Sequence, residues 1–203
     1  MLDKALHLVV EDTYNMISVD GDTSTNDTCI LMANGKAGND IIDSEGEAFD
    51  AFVTALMEVN KTLAMMMASD GEGATCLFEV TVQGADNVAN AKTLAKSVVT
   101  SSLTKTAIAG HDANWGRIIC ALGYAGVEFD PEKVDLYFES EVGKLQIVRS
   151  GVATDYSEDE ATDILSADKV TAICDMHMGD ATATAWGCDL THEYVSINAD
   201  YRS

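Results

Sequence analysis

Apolar positions recur along the chain with two periods, and they predict an alternation of helices and strands. Leu2, Leu6, Val9, Val10 and Tyr14 fall at helical spacing and predict an amphipathic helix over 2–15. Met16 to Val19 reads as a short strand, and Thr28 to Met32 as a second one beyond the polar run Asp20–Asp27. Asn34 to Gly46 reads as loop. A long helix is predicted over 47–68, with Phe49, Phe52, Val53, Leu56, Val59, Leu63 and Met67 on one side. Cys76 to Val82 alternates as a half-buried strand does. Residues 87–100 and 114–121 read as helices, with an apolar, strand-like stretch between them. Strands are predicted at 134–139, 144–149, 170–176 and 182–187. A helix is predicted over 157–165, where Glu160 follows Ser157 at capping-box spacing, and a closing helix over 192–200. The order of elements predicts an α/β layered fold. Gly84 and the stretch 123–130 are the places where the chain divides most readily, which suggests portions 1–122 and 123–203.

Composition narrows the function classes. Twelve basic and 34 acidic side chains leave a net charge of −22, which repels nucleic acid and anionic membrane surfaces. A hydrophobic content of 47% is too high for disorder, and no apolar run is long enough to span a bilayer. The five cysteines are widely spaced and form no C-x-x-C pair, so they read as small core hydrophobes and not as a disulfide or zinc framework. The acidic, amphipathic start of the chain has no signal-peptide pattern, which predicts a cytoplasmic location.

Chemistry concentrates in four polar clusters. Asp20-x-Asp22 after a strand permits two readings: the nucleophile and acid of a Mg²⁺ phosphatase, with Asp180 and Asp189 as further carboxylates, or a polar turn that bonds its own backbone. Glu72 stands between Gly71 and Gly73, which lets the backbone approach a ligand and presents a carboxylate to an ammonium group. In the stretch 110–117, Asp112 is placed to cap the following helix and to pair with Arg117, and His111 is a candidate base. The last cluster crowds polar groups around Ile197 and Tyr201, whose apolar character suggests a docked terminus.

Taken together, these blocks resemble the ornithine acetyltransferase (ArgJ) family. The blocks are Val19-Asp20-Gly21-Asp22-Thr23-Ser24-Thr25-Asn26-Asp27, Asp70-Gly71-Glu72-Gly73-Ala74-Thr75, Asp112-Ala113-Asn114-Trp115-Gly116-Arg117, Trp186-Gly187-Cys188-Asp189-Leu190-Thr191 and Ile197-Asn198-Ala199-Asp200-Tyr201. The likeness is to the β chain, over nearly the whole sequence. It implies the β-chain portion of an αββα sandwich and an arginine-biosynthesis acetyltransferase. Such an enzyme moves acetyl from N2-acetylornithine to glutamate through an acetyl-threonine intermediate, with oxyanion donors supplied by the α chain. The precursor cuts itself at Ala-Thr-Met, and the freed Thr is the nucleophile. Ala-Thr-Met does not occur in this sequence, so the nucleophile is expected before Met1. The chain is then a truncated β chain, a split gene product or an inactive remnant. The resemblance carries over Glu72, Asn198 and Ser203 as substrate-binding residues. It implies site-supporting roles for Asp20, Asp22, Asn26, Asp27, Asp112, Asn114 and Arg117. It implies no metal and no resident cofactor, with acetyl-CoA as an additional donor only in a bifunctional enzyme. The implied partner is the α chain in an α₂β₂ assembly. Cys76 stands where the family often has Lys.

Overall fold

The computed structural model describes residues 1–201. One seven-stranded mixed sheet organises it. The strands are β1 (Ile17–Ser18), β2 (Leu77–Ala85), β3 (Asp135–Glu139), β4 (Lys144–Arg149), β5 (Val152–Ala153), β6 (Lys169–Asp175) and β7 (Ala181–Cys188), in the spatial order β1-β7-β2-β6-β3-β4-β5. The β1–β7 and β2–β6 pairs are parallel and the rest antiparallel. The sheet takes strands from both sides of residues 122 and 123. The helices are α1 (Leu2–Val10), α2 (Glu47–Ser69), α3 (Val88–Thr100), α4 (Ser102–Ala109), α5 (Trp115–Gly123), α6 (Glu158–Leu165) and α7 (His192–Asp200).

Register explains the core. Phe78 pairs with Val170, Val80 with Ala172 and Ala185, and Leu136 with Cys174, so apolar residues of four strands share one face. That face is buried together with Leu94, Ala95 and Val98 of α3, Ile118 and Leu122 of α5, and Ile164 and Leu165 of α6. The opposite face is half-buried and polar: Glu79 accepts from the Trp186 indole at 2.7 Å and pairs with Lys169 at 3.1 Å. Here α2 packs beside β7, β1 and β2, with the Lys61 ammonium 5.7 Å above the Trp186 ring.

The structure corrects several expectations. Thr28–Met32 forms no strand: it finds no neighbouring strand among the described residues, and a lone extended segment has no ladder to hold it. The stretch before Gly110 is helix α4, not strand-like. Its buried Thr104, Lys105, Ala107 and Ile108 follow a helical period, and Ser101 caps it by accepting from the Thr104 N–H at 3.3 Å. The first helix ends at Val10, where the chain tightens into a 3-10 turn at Tyr14–Met16. Strand β2 continues past Gly84 through a bulge. There φ is +66° and a Cβ would stand 2.6 Å from the Asp175 carboxylate, so glycine is required. Cys76, Cys174 and Cys188 are core residues, but Cys29 and Cys120 are exposed. Ser157 caps α6 as its spacing predicts, accepting from the Glu160 N–H at 3.3 Å.

Candidate functional site

The loop joining α2 to β2 is the centre of the site. Helix α2 stops at Asp70, and an Ala74 N–H to Gly71 carbonyl bond of 3.0 Å closes a turn that carries Glu72, exposed, at its tip. Gly71 admits close approach: a Cβ there would lie 2.8 Å from Cys188 Sγ and 2.9 Å from Val19 Cγ1. Gly73, at φ +66°, lies against the start of α7, where a Cβ would meet the Tyr194 nitrogen at 2.7 Å. The two glycines thus wedge Glu72 between the end of β7 and α7, as the Gly-Glu-Gly spacing suggests. Gly73→Ala is expected to push α7 off the loop and lower thermal stability by about 1–3 kcal/mol. Calorimetry of the variant checks this, and an unchanged melting temperature would show that the approach is dispensable.

Asp189 fixes the loop from beneath. Its buried carboxylate accepts from the Thr75 N–H at 2.8 Å, the Thr75 hydroxyl at 2.6 Å and the Cys76 N–H at 3.1 Å. Its own N–H donates to the Cys76 carbonyl at 3.1 Å. Two residues on, the Thr191 hydroxyl caps α7 and donates to the Gly73 carbonyl at 2.7 Å. The segment 189–191 therefore clamps the chain on the C-terminal side of Glu72, at Gly73, Thr75 and Cys76.

Lys105 of α4 is wholly buried behind this clamp. Its ammonium donates to the Cys188 carbonyl and lies 3.7 Å from Cys188 Sγ, while its carbonyl accepts from the Leu190 N–H at 3.1 Å. Burial pulls the Lys105 amine below its ordinary value, against the opposing pull of Cys188, Asp189 and Asp20. The Cys188 thiol is pushed up by burial, with Asp189 and Glu72 adding to the rise and Lys105 opposing it. Tyr194 of α7 donates its hydroxyl to Asp20 at 2.9 Å, and that bond raises the phenol.

Three of the five blocks singled out in the sequence, those at 19–27, 70–75 and 186–191, supply groups around this turn. Asp20 is bonded on both oxygens, to Tyr194 and, at 2.9 Å, to the Asp22 N–H. It forms a turn with its own backbone, the second of the two readings left open, and not a free nucleophile. Asp189, weighed as a Mg²⁺ carboxylate, instead has both oxygens on Thr75 and Cys76. Asn198 rides on α7, exposed, with its amide donating to the Tyr194 carbonyl at 3.0 Å. Among the described residues Asn26 bonds Ser24 and Thr28, and Asp27 is exposed. Ser203 lies outside the described residues.

The block at 112–117 is not brought to this turn. Asp112 accepts from the Asn114 amide at 3.0 Å, and neither side chain caps α5. Arg117 does not pair with Asp112. It donates to the Leu103 carbonyl at 2.8 Å and the Thr106 hydroxyl at 3.1 Å, tying α5 to the helix that carries Lys105. Ile197 and Tyr201, expected to dock the terminus, are 38% and 76% exposed; α7 is held by polar bonds instead. Sequence reasoning missed Lys105 and Tyr194 and gave Asp189 no role in holding this turn. The one usable signal was an Asp directly after an apolar strand and two residues before a helix cap.

The layered sheet belongs to a fold seen before. The structure superimposes on the crystal structure of arginine biosynthesis bifunctional protein ArgJ from Bacillus halodurans with a TM-score of 0.92 and 46% identity, covering 98% of this chain and 92% of that one. Residues 1–203 match the ArgJ family, and the chain belongs to it. Curated relatives include the arginine biosynthesis bifunctional protein ArgJ of Thermotoga neapolitana, 50% identical over 202 residues, and ArgJ 1 of Clostridium acetobutylicum, 51% identical over 203. All of this chain is covered in both matches, against 51% and 50% of those relatives. The chain thus spans about half the length of the curated relatives it matches.

Proposed function

We propose that this chain is the β-chain half of an acetyltransferase of arginine biosynthesis, moving acetyl from N2-acetylornithine to glutamate. The observation that carries this is Glu72, solvent-facing yet fixed by Gly71, Gly73 and the Asp189 clamp, in a family whose members are named for arginine biosynthesis. A carboxylate so held suits the side-chain ammonium that N2-acetylornithine retains, and Asn198 adds an amide that both donates and accepts. The nucleophile in this scheme is a Thr at the start of the β chain, outside these 203 residues. Its hydroxyl attacks the acetyl carbonyl carbon while its α-amine, with an ordinary pKa of about 7.7–8.0, takes the proton. The C–N bond then breaks and ornithine leaves with the proton on its amine. The glutamate amine attacks the acetyl ester and regenerates the Thr hydroxyl. The partner is an α chain that supplies the oxyanion donors, in an α₂β₂ assembly in the cytoplasm. The reaction needs no resident cofactor, and acetyl-CoA is a second donor if the enzyme is bifunctional. The crystallised relative's chain is close to this one in length, although curated relatives are about twice as long; that supports a two-chain enzyme.

The test is acetyl transfer by this chain, extended back to its Thr and combined with the α chain. Glu72→Gln is expected to raise KM for N2-acetylornithine by about 100-fold, the scale of losing one partner of a charged pair, with a smaller effect on glutamate. No transfer by the unsubstituted complex, or an unchanged KM in the variant, overturns the assignment.

A further inference from the structure

Among the described residues, two apolar surfaces remain unpartnered. Helix α2 buries only Phe49, Asn60, Ala64 and Ala68 of its 23 residues. One position round the helix, Val59, Leu63, Met66 and Met67 stand 57%, 45%, 59% and 51% exposed, at the spacing of a single helical stripe. A helix face turned to water ordinarily carries charged or polar residues. The second surface is the segment between β1 and α2, in which no helix or strand forms. Within it Thr28-Cys29-Ile30-Leu31-Met32 has the composition of a strand and no strand beside it, and Ile30 and Met32 are 72% and 86% exposed. Free backbone N–H and C=O groups beside exposed apolar side chains are what a strand-adding interface uses.

The occupant follows from length and charge. Relatives matched along the whole of this chain carry about as much polypeptide again. A second copy is disfavoured, since each chain carries −22 and Asp20, Asp22, Asp27, Asp40, Asp43 and Glu45 crowd the segment. We propose that Thr28–Met32 and the Val59–Met67 stripe of α2 form the docking surface for the half of the family's length that this chain does not span, with Thr28–Met32 adding as a strand to that partner's sheet. The proposal rests on the two-part enzyme of the preceding section and adds where and how the parts join.

The test mixes the full 203-residue chain with a polypeptide comprising the unmatched half of the Thermotoga neapolitana relative. Hydrogen exchange of the 28–32 amides is expected to be fast in the chain alone and at least about 100-fold slower in the complex. The pair Leu63→Glu and Met66→Glu is expected to weaken the complex about 100-fold while exchange in β2 and β6 stays unchanged. Absence of a complex, or a complex in which 28–32 still exchanges freely, overturns the proposal. So does concentration-dependent protection of 28–32 in the chain alone, which would make a second copy the occupant. Acetyl transfer, read separately with the extended chain, reports on the reaction: a protected complex without transfer retains this surface and removes the proposed activity.

Discussion

Raising the pH from 9 towards 12 is expected to destabilise the chain. Burial pushes the Cys174 thiol up to about 12 from its ordinary 9.0, and burial followed by the Asp189 charge pushes Cys76 up to about 12. Between pH 9 and 12 the unfolded chain loses these protons and the folded chain keeps them. The folded state then binds more protons, so stability falls as pH rises. It is fully present below pH 9 and lost through pH 12. Each thiol contributes about 4 kcal/mol across that window, and the pair together rivals the whole stability of an ordinary domain, about 5–15 kcal/mol. Tyr14, Tyr137, Tyr156 and Tyr194 act in the same direction at higher pH, since each phenol is raised. Lys105 opposes them: its amine is lowered, so the unfolded chain holds the extra proton and stability gains until the pH passes the ordinary lysine value. Circular dichroism along a pH titration measures the slope. Cys174→Ala is expected to make it shallower between pH 9 and 12, and an unchanged slope would locate the alkaline destabilisation elsewhere.

Asp189→Ala is expected to destabilise the chain by about 3 kcal/mol, lowering its melting temperature by about 10 °C. The substitution strips three donors of their acceptor, and one of them, the Cys76 N–H, belongs to a buried residue. It also frees Thr75, the residue that ends the turn holding Glu72. Asp189→Asn keeps an oxygen for the two amides and is expected to cost about 1 kcal/mol. Scanning calorimetry of both variants distinguishes a clamp from a filler of space. Equal losses in the two would mean that the carboxylate's bonds matter less than its volume.

The fold was legible where local pattern and tertiary role agree. The alternation in 76–82 is the core-facing side of β2, and the closing helix runs over His192–Asp200, the predicted bounds. It was not legible in α4, where Thr104, Lys105, Ala107 and Ile108 leave little polar contrast across the helix, and burial of a lysine is invisible to hydropathy. Nor was it legible at Thr28–Met32, since strand propensity makes a strand only where another strand is present to pair with it. In the site, the Gly-Glu-Gly spacing marked a turn where the backbone is closely approached, by Cys188 and Val19 at Gly71 and by α7 at Gly73. Lys105 with Cys188 and Thr75 with Asp189 are separated by 83 and 114 residues, so only the sheet order brings them together. The Asp112–Arg117 block had the composition of a site, but its bonds are those of a helix junction.

Helix α7 buries none of its nine residues, and its side-chain ties to the turn and to Asp20 are Thr191 on Gly73 and Tyr194 on Asp20. At about 1 kcal/mol for each tie, this latch is weak compared with the Asp189 clamp beneath the turn. Glu72 is thus set by the scaffold, whereas Asn198 is only as well set as the latch. In the proposed reaction a substrate that spans both residues draws part of its binding free energy into closing the helix, so its apparent affinity falls by the fraction of molecules in which α7 is open. Tightening the latch would then strengthen substrate binding without adding a single contact to the substrate.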